Sequence, residues 1–144
     1  MVKLSALWRI TAALAWPGLV GIASACRCVE PIAPSPAYRH ATTVVQGRVE
    51  GVKLNAADQS ATATITITAA WKQAVPATIE VFTDTNCAYP FETGREYVLF
   101  LLKDRPLAGY VTGRCMGNQP AIQADTVLRW LRRNGAVRDV SPKP

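Results

Sequence analysis

The chain has few residues that could support catalysis. It contains one histidine, His40, and no G-x-S-x-G segment, so a nucleophile would lack the adjacent base that must activate it. Glu92 and Glu96 lie four residues apart across Gly94, and this spacing does not predict the paired carboxylates of a glycosidase. We interpret His40 as a packing or surface residue, and we expect the protein not to be an enzyme.

Ligands for a resident metal and motifs for nucleic acid are also missing. One histidine cannot hold zinc, and cysteines joined in disulfides are not thiolates, so we expect no intrinsic cofactor. The net charge of +6 is moderate, and no motif that reads nucleic acid is present. The tightest basic group, Arg129, Arg132 and Arg133, is typical of the solvated face and end of a helix, and we keep it as a secondary basic patch.

A long apolar run occurs only near the N-terminus. Residues 10–23 follow a short basic start and precede small residues at 23–25, which is typical of a secretory signal peptide. A membrane anchor is the alternative, but Pro17 interrupts the run, which is shorter than the roughly 20 residues of a spanning helix. We therefore predict a signal peptide at 1–25, export to a periplasmic or extracellular space, no membrane span in the mature protein, and a mature chain that begins at Cys26.

All four cysteines, Cys26, Cys28, Cys87 and Cys115, follow the predicted cleavage site. An oxidising compartment favours their pairing. A bond between Cys26 and Cys28 would close a strained ring across one residue. Both therefore reach forward to Cys87 and Cys115, in either of two arrangements, and chain entropy assigns each closed loop roughly 4 kcal/mol.

Strict alternation of apolar and polar residues predicts a β-rich domain at 26–135. Thr62 to Ala69 is the clearest strand, because threonines alternate with alanines and isoleucines at a two-residue period. The predicted strands lie at 41–52, 61–72, 78–83, 97–102 and 109–114. Five strands fit a small closed or partly open barrel of the oligonucleotide/oligosaccharide-binding type better than a sandwich, which has about seven.

Three further segments complete the prediction. Prolines between Cys26 and Pro36 predict an extended, stiff tip. Ile122 to Asn134 is predicted as a helix, with Ile122, Val127, Leu128 and Leu131 near one face and Gly135 as the stop signal. Residues 136–144 are predicted as a flexible tail. The fold class is thus all-β with one C-terminal helix and a disulfide-tied N-terminus.

A mature chain that begins at Cys26 would carry unusual chemistry at its tip. The α-amine and the carbonyl oxygen of that residue can close a five-membered chelate on a metal, such as the catalytic zinc of a protease. Disulfides at the first and third residues would hold the chelating end in place and reduce the ordering cost of binding. The alternative is that these bonds only stabilise a small domain and that the position of Cys26 is incidental.

Several sequence blocks resemble the tissue inhibitors of metalloproteinases and the related netrin-like domains. The similarity runs through nearly all of the chain from Cys26 to the predicted helix. The blocks are Cys26-Arg-Cys-Val-Glu-Pro31, Val44-Val-Gln-Gly-Arg-Val49, Ala70-Trp-Lys72, Asn86-Cys-Ala-Tyr-Pro-Phe-Glu-Thr-Gly94, Tyr97 to Leu101, and Tyr110-Val-Thr-Gly-Arg-Cys115. The second, cysteine-rich half of the animal inhibitors has no counterpart here, so the chain resembles a short, single-domain form expected in bacteria.

The resemblance implies a five-stranded barrel and the pairs Cys26 to Cys87 and Cys28 to Cys115. It implies inhibition of a zinc metalloprotease, with the amine and carbonyl of Cys26 on the target's zinc and residues Cys26, Arg27, Cys28 and Val29 in its cleft. The chain departs from the family at Arg27, because the family usually has Thr or Ser there. Burying an unpaired arginine would cost several kcal/mol, so the target should have a deep or acidic pocket.

Two other functions stay open at this point. The domain could be a non-catalytic adhesion or interaction module of the cell envelope that uses a barrel face or the arginine patch. Small residues before Cys26 would also suit a lipoprotein acylated at that cysteine, although Ala23 is a poor match to the large aliphatic residue usual three positions earlier. Acylation would consume both the sulfur and the amine, so it excludes the chelating tip.

Overall fold

A computed structural model of the protein describes residues 26, 28, 32–84, 87–104 and 109–141. The predicted signal peptide lies outside the described residues. No helix among the described residues is long and apolar enough to cross a membrane. The helices are α1 (Pro34–His40) and α2 (Asp125–Asn134). The strands are β1 (Thr43–Leu54), β2 (Ala61–Trp71), β3 (Val75–Pro76), β4 (Thr78–Thr83), β5 (Glu96–Asp104), β6 (Gly109–Thr112), β7 (Gln119–Pro120), β8 (Val137–Arg138) and β9 (Val140–Ser141).

The five longer strands close into a barrel, which confirms the predicted fold class. Their order is β1, β2, β4, β6 and β5, and β5 pairs with β1 to complete the circle. All of these pairings are antiparallel except that of β4 with β6. Within the paired segments, each strand of the barrel has a neighbour on both sides, so these segments have no free edge. The inner face of the sheet can therefore be buried around the whole barrel.

The barrel interior is filled by the apolar side chains that the alternation predicted. In β2, Ala63 and Ile65 are fully buried, whereas the threonines that alternate with them, Thr62, Thr64 and Thr66, are partly exposed. Strand β5 is buried on both faces from Tyr97 to Leu101, because one face lines the barrel and the other contacts the helices. The interior therefore holds a packed core.

Glycine is required where β1 bends across β2. The register of this pair shifts between Gln46 and Gly47 and again between Val49 and Gly51, as expected of the glycines in this strand. A Cβ at position 47 would lie 2.7 Å from the carbonyl oxygen of Thr66 and 2.8 Å from the side chain of Ile65. No side chain fits there without moving the partner strand.

A second apolar cluster lies outside the barrel, where both helices cover β1 and β5. Phe100 and Leu131 are fully buried in it, and Trp71 is 5% exposed. The spacing of Ala124, Val127 and Leu131 places three buried residues on one face of α2. The two helices thus close one outer surface of the sheet.

Two predicted boundaries of helical structure are wrong. The extended tip was predicted to reach Pro36, but α1 begins at Pro34, since proline is tolerated in the first helical turn, where backbone N–H groups have no helical partner. Ile122 was predicted on the buried face of a helix, but it lies in a 3-10 turn and is 90% exposed. Ala124, two residues later in the chain and three before Val127, takes that place on the buried face.

Lys72, which follows the last residue of β2, connects that strand to the end of α1 through hydrogen bonds. Its ammonium group donates hydrogen bonds to the carbonyl oxygens of Tyr38 at 2.7 Å, Arg39 at 3.1 Å, and Ala41. These carbonyls lie at the C-terminal end of α1, where a cation is favourable because they have no helical donors. The ammonium also lies 5.2 Å from the centre of the Tyr38 ring.

Part of the segment predicted as a flexible tail forms two short strands, β8 and β9. Strand β8 pairs with Ala70 and Trp71 of β2, and β9 pairs with β3. Strand β4 pairs with β2 only as far as Thr66, so the last residues of β2 have an edge that β8 covers. Two-residue strands carry no periodic signal, and for this reason the sequence pattern did not indicate them.

Candidate functional site

The two cysteine-bearing loops meet because β4 and β6 are parallel neighbours. Thr83 at the end of β4 pairs with Thr112 at the end of β6, so both strands leave the barrel at the same edge. Cys87 follows β4, and Cys115 lies in a 3-10 turn that follows β6. Neighbouring strands lie about 4.8 Å apart, and residues i and i+2 of an extended chain about 7 Å apart. A Cys-x-Cys segment therefore has the right span to bond both loops.

Both disulfides form, in the pairing that the resemblance implied. Cys26 is bonded to Cys87 with a Cα–Cα distance of 5.4 Å, and Cys28 to Cys115 with 5.2 Å. The Sγ atoms of Cys26 and Cys115, which are not bonded to each other, lie 3.7 Å apart. Cys28 and Cys87 are exposed, and the other two are half-buried. The disulfides thus stack against each other at the surface and indicate an oxidising compartment.

Asn118 holds the Cys115 loop in place. Its Oδ1 accepts a hydrogen bond from the backbone N–H of Phe100 at 2.8 Å. Its Nδ2 donates to Thr112 Oγ1 at 2.7 Å and to the carbonyl oxygen of Gly113 at 3.0 Å. The Thr112 hydroxyl donates in turn to the carbonyl oxygen of Phe100 at 2.9 Å. This network connects the loop to the fully buried part of β5.

Aromatic rings hold the Cys87 loop. Tyr89, Phe91 and Tyr97 make three edge-to-face contacts with ring centres 5.1 to 5.8 Å apart. The backbone N–H of Tyr89 donates to Thr83 Oγ1 at 2.7 Å, and that of Glu92 donates to the Tyr97 hydroxyl at 3.1 Å. Partial burial raises the pKa of Tyr89 to about 12, with smaller effects from Tyr97 and Arg95. The loop is therefore packed on the barrel through residues close to Cys87.

The two loops are also in direct contact. Arg114 Nε donates to the carbonyl oxygen of Ala88 at 2.8 Å. A Cβ at position 113 would lie only 3.2 Å from the carbonyl oxygen of Cys87, so glycine allows this close approach. The cysteine partners of the tip therefore belong to one continuous surface.

A cleft of about 440 Å³ lies beside this surface. Cys87 and Cys115 both line it, and Phe82, Val111 and Met116 are among its apolar residues. Asp84 and Asp104 also line it. A partner that binds the disulfide-tied end would therefore also contact this largely apolar cleft.

The predicted site residues differ in what the structure says of them. Cys26 and Cys28 are placed together, whereas Arg27 and Val29 lie outside the described residues. The arginines Arg129, Arg132 and Arg133 are exposed on α2, which is separate from the two cysteine loops. The basic patch therefore lies on a different element of the chain from the loops that hold the tip.

The remaining candidates have ordinary surroundings. His40 is exposed at the end of α1. Glu92 forms a 2.7 Å ion pair with Arg95, and Glu96 accepts hydrogen bonds from Gln46 and Thr68 at 3.0 and 3.2 Å. Each carboxylate is therefore engaged with a different exposed neighbour.

The sequence pattern did not indicate Thr83, Thr112 or Asn118. The two threonines continue the alternation of their strands, and a single asparagine after Gly117 predicts a turn. Only the meeting of β4, β5 and β6 gives these side chains a common role. Comparison with protein-family models and with curated proteins gives no match to the chain.

Proposed function

We propose that this protein is an exported inhibitor of zinc metalloproteases, similar to the tissue inhibitors of metalloproteinases and netrin-like domains. The observation that carries the proposal is the double disulfide, which fixes Cys26 and Cys28 side by side on the two adjoining loops. After removal of residues 1–25, the α-amine and carbonyl of Cys26 would form the chelating end. Both groups would then coordinate the catalytic zinc of the target and displace its water.

The attachment of the tip supports this role. Cys26 is joined to a loop that packs through Tyr89, and Cys28 to a loop held by Asn118. A flexible N-terminus would lose conformational freedom on entering a narrow cleft, whereas a tip tied at two points loses less. The non-covalent contacts of the loops therefore contribute to binding even though they do not touch the protease.

Arg27 determines which proteases can be bound. In this binding mode its side chain enters the specificity pocket, and an unpaired charge in an apolar pocket costs several kcal/mol. The proposal therefore favours targets whose pocket is deep or carries a carboxylate. Replacing Arg27 with threonine should tighten inhibition of proteases with shallow apolar pockets by roughly 10-fold or more, since each 1.4 kcal/mol changes affinity tenfold.

The decisive experiment blocks the amine without touching the fold. Mature protein with one alanine added before Cys26 would have an amide in place of the free amine, and it should no longer inhibit a panel of zinc metalloproteases. The control carries one alanine after Pro144 and should inhibit as the unmodified protein does. Intact mass should show both disulfides in all three proteins. Equal inhibition by the blocked and unblocked forms would overturn the proposal.

The pH dependence provides a second test. Zinc binding needs the deprotonated amine, and ordinary α-amino groups titrate at roughly 7.7 to 8.0. Inhibition should therefore weaken as the pH falls below this range, after correction for the target's own pH profile. A flat profile for the inhibition constant would argue against coordination by the amine.

An interaction module of the cell envelope is the second candidate. The observation that favours it is the exposure of Arg129, Arg132 and Arg133 on one helix. A partner captured by the unmodified protein but not by a triple alanine variant, together with no inhibition of any zinc protease, would support it. Acylation at Cys26 is disfavoured, because its sulfur is bonded to Cys87, and the intact mass of the mature protein tests this directly.

A further inference from the structure

The cysteine sulfurs are clustered more closely than two separate disulfides require. The Sγ atoms of Cys26, Cys28 and Cys115 all lie within 4.8 Å of one another. Cys87 is bonded to Cys26 and supplies a fourth sulfur next to this group. Among the described residues, Cys26, Cys28 and Cys115 form the group that comes together as potential metal ligands. In the oxidised chain they cannot bind a metal, because disulfide sulfur carries no charge.

Reduction changes the chemistry of this cluster. Each disulfide takes up two electrons and two protons to give two thiols, and a thiol or phosphine reductant supplies the electrons and is itself oxidised. Loss of the thiol protons then gives four thiolates, which are the ligands of tetrahedral zinc sites. Zinc–sulfur bonds of about 2.3 Å place the sulfurs of such a site about 3.8 Å apart. The unbonded Cys26 and Cys115 sulfurs already lie 3.7 Å apart.

The position of the cluster favours both reduction and capture of an ion. Cys28 and Cys87 are exposed, so each disulfide includes one exposed cysteine. The Cys87 loop is held by Tyr89 on Thr83, and the Cys115 loop by Asn118 on Phe100. These contacts do not depend on the disulfides. Reduction therefore leaves the thiolates of Cys87 and Cys115 on two adjoining loops of the barrel, with the other two thiolates one residue apart on the tip.

We propose that the reduced chain binds one thiophilic metal ion, of the zinc class, through Cys26, Cys28, Cys87 and Cys115. The ion would hold the tip on the barrel where the disulfides are not formed, and four protons would be released on binding. Two equivalents of a small-molecule disulfide, each taking up two electrons and two protons to give two thiols, would re-form the two disulfides and expel the ion. This site needs no protease, so it stands or falls independently of the proposed inhibition.

Cobalt(II) is the probe for this site, because tetrahedral thiolate coordination gives it strong visible and charge-transfer absorption. Protein reduced with a phosphine without oxygen should bind one Co²⁺ per chain, with these bands, and Zn²⁺ should displace it. Zn²⁺ should also raise the midpoint of thermal unfolding of the reduced chain. The oxidised protein should show neither effect.

A matched variant tests whether all four cysteines take part. The double variant Cys28→Ser with Cys115→Ser keeps two thiols and should bind Co²⁺ at least 10-fold more weakly, without the tetrahedral thiolate bands. A second measurement repeats the titration of the unsubstituted reduced chain in urea, where the fold no longer brings the loops together. Absence of the bands in the reduced protein, or equal affinity in urea, would overturn the proposal.

Discussion

The disulfide-tied end and the helix-covered side of the barrel are stabilised in different ways. On the helix-covered side, Phe100 and Leu131 are fully buried in the same apolar cluster. At the disulfide-tied end, Cys28 and Cys87 are exposed, and the loops are held by covalent bonds, a few specific hydrogen bonds and edge-to-face contacts between aromatic rings. The attachment at this end thus fixes Cys26 and Cys28 while leaving Cys28 exposed, whereas apolar packing fixes a residue only by burying it.

Loss of one disulfide should produce the largest effect. The double variant Cys28→Ser with Cys115→Ser opens a loop with a sequence separation of 87 residues. Chain entropy predicts a loss of roughly 4 kcal/mol in the free energy of unfolding. Urea denaturation of the oxidised proteins measures this. An unchanged free energy would mean that polar contacts alone fix this end of the molecule.

Leu131→Ala should have the next largest effect, on the helix-covered side. Leu131 is fully buried, and truncation of such a residue costs about 3 kcal/mol through lost burial and the cavity that remains. Leu102→Ala is the control, because Leu102 is 37% exposed and should lose clearly less stability. The Leu131→Ala variant should keep both disulfides and the proposed inhibition of a target protease. A fall in inhibition equal to that seen after disulfide loss would show that the two regions are not independent.

Asn118→Ala should have an intermediate effect confined to the disulfide-tied end. It leaves the N–H of Phe100 without its partner, and an unsatisfied buried donor costs about 2 kcal/mol. The Cys28–Cys115 bond should also be reduced faster by a small thiol. Asn134→Ala is the control, because Asn134 is exposed and bonds only to the carbonyl of Trp130 among the described residues. Equal reduction rates in the two variants would contradict the role of Asn118.

The smallest effect should come from the ionisation of Tyr89. Burial raises its pKa to about 12, whereas tyrosines of an unfolded chain ionise near about 10. As the pH rises from 10 to 12, the unfolded state loses this proton first, so the stability of the folded state falls. Tyr89→Phe should reduce this fall and remove one high-pH step from the tyrosinate absorbance titration. A titration that keeps the same step in the variant would assign it to another tyrosine.

The barrel was largely predictable, because its strands bury one face and expose the other. This arrangement gives the two-residue period of β2, and it places glycines where β1 bends. The first helix was not predicted, since prolines at Pro34 and Pro36 are typical of extended chain as well as of a first helical turn. Strands β8 and β9 have two residues each, which is too short for any period.

The candidate site was predictable only in its covalent part. The spacing of four cysteines limited the pairing to two arrangements, and the family resemblance implied one of them. The roles of Asn118 and Thr83 depend on which strand ends become neighbours, and the sequence pattern carries no information about that. Arg27 and Val29, which the proposed inhibition would place in the cleft of the target, lie outside the described residues.

The tight crossing at Gly47 has a consequence for the divergence of related sequences. A Cβ there would meet the backbone of Thr66 at 2.7 Å, and a backbone atom cannot move aside as a side chain can. Substitutions at this position would disturb the pairing of β1 with β2, so selection would remove them before most changes at exposed positions of the described surface. Glycine at this place in the first strand should therefore outlast the surface sequence as a sign of common descent.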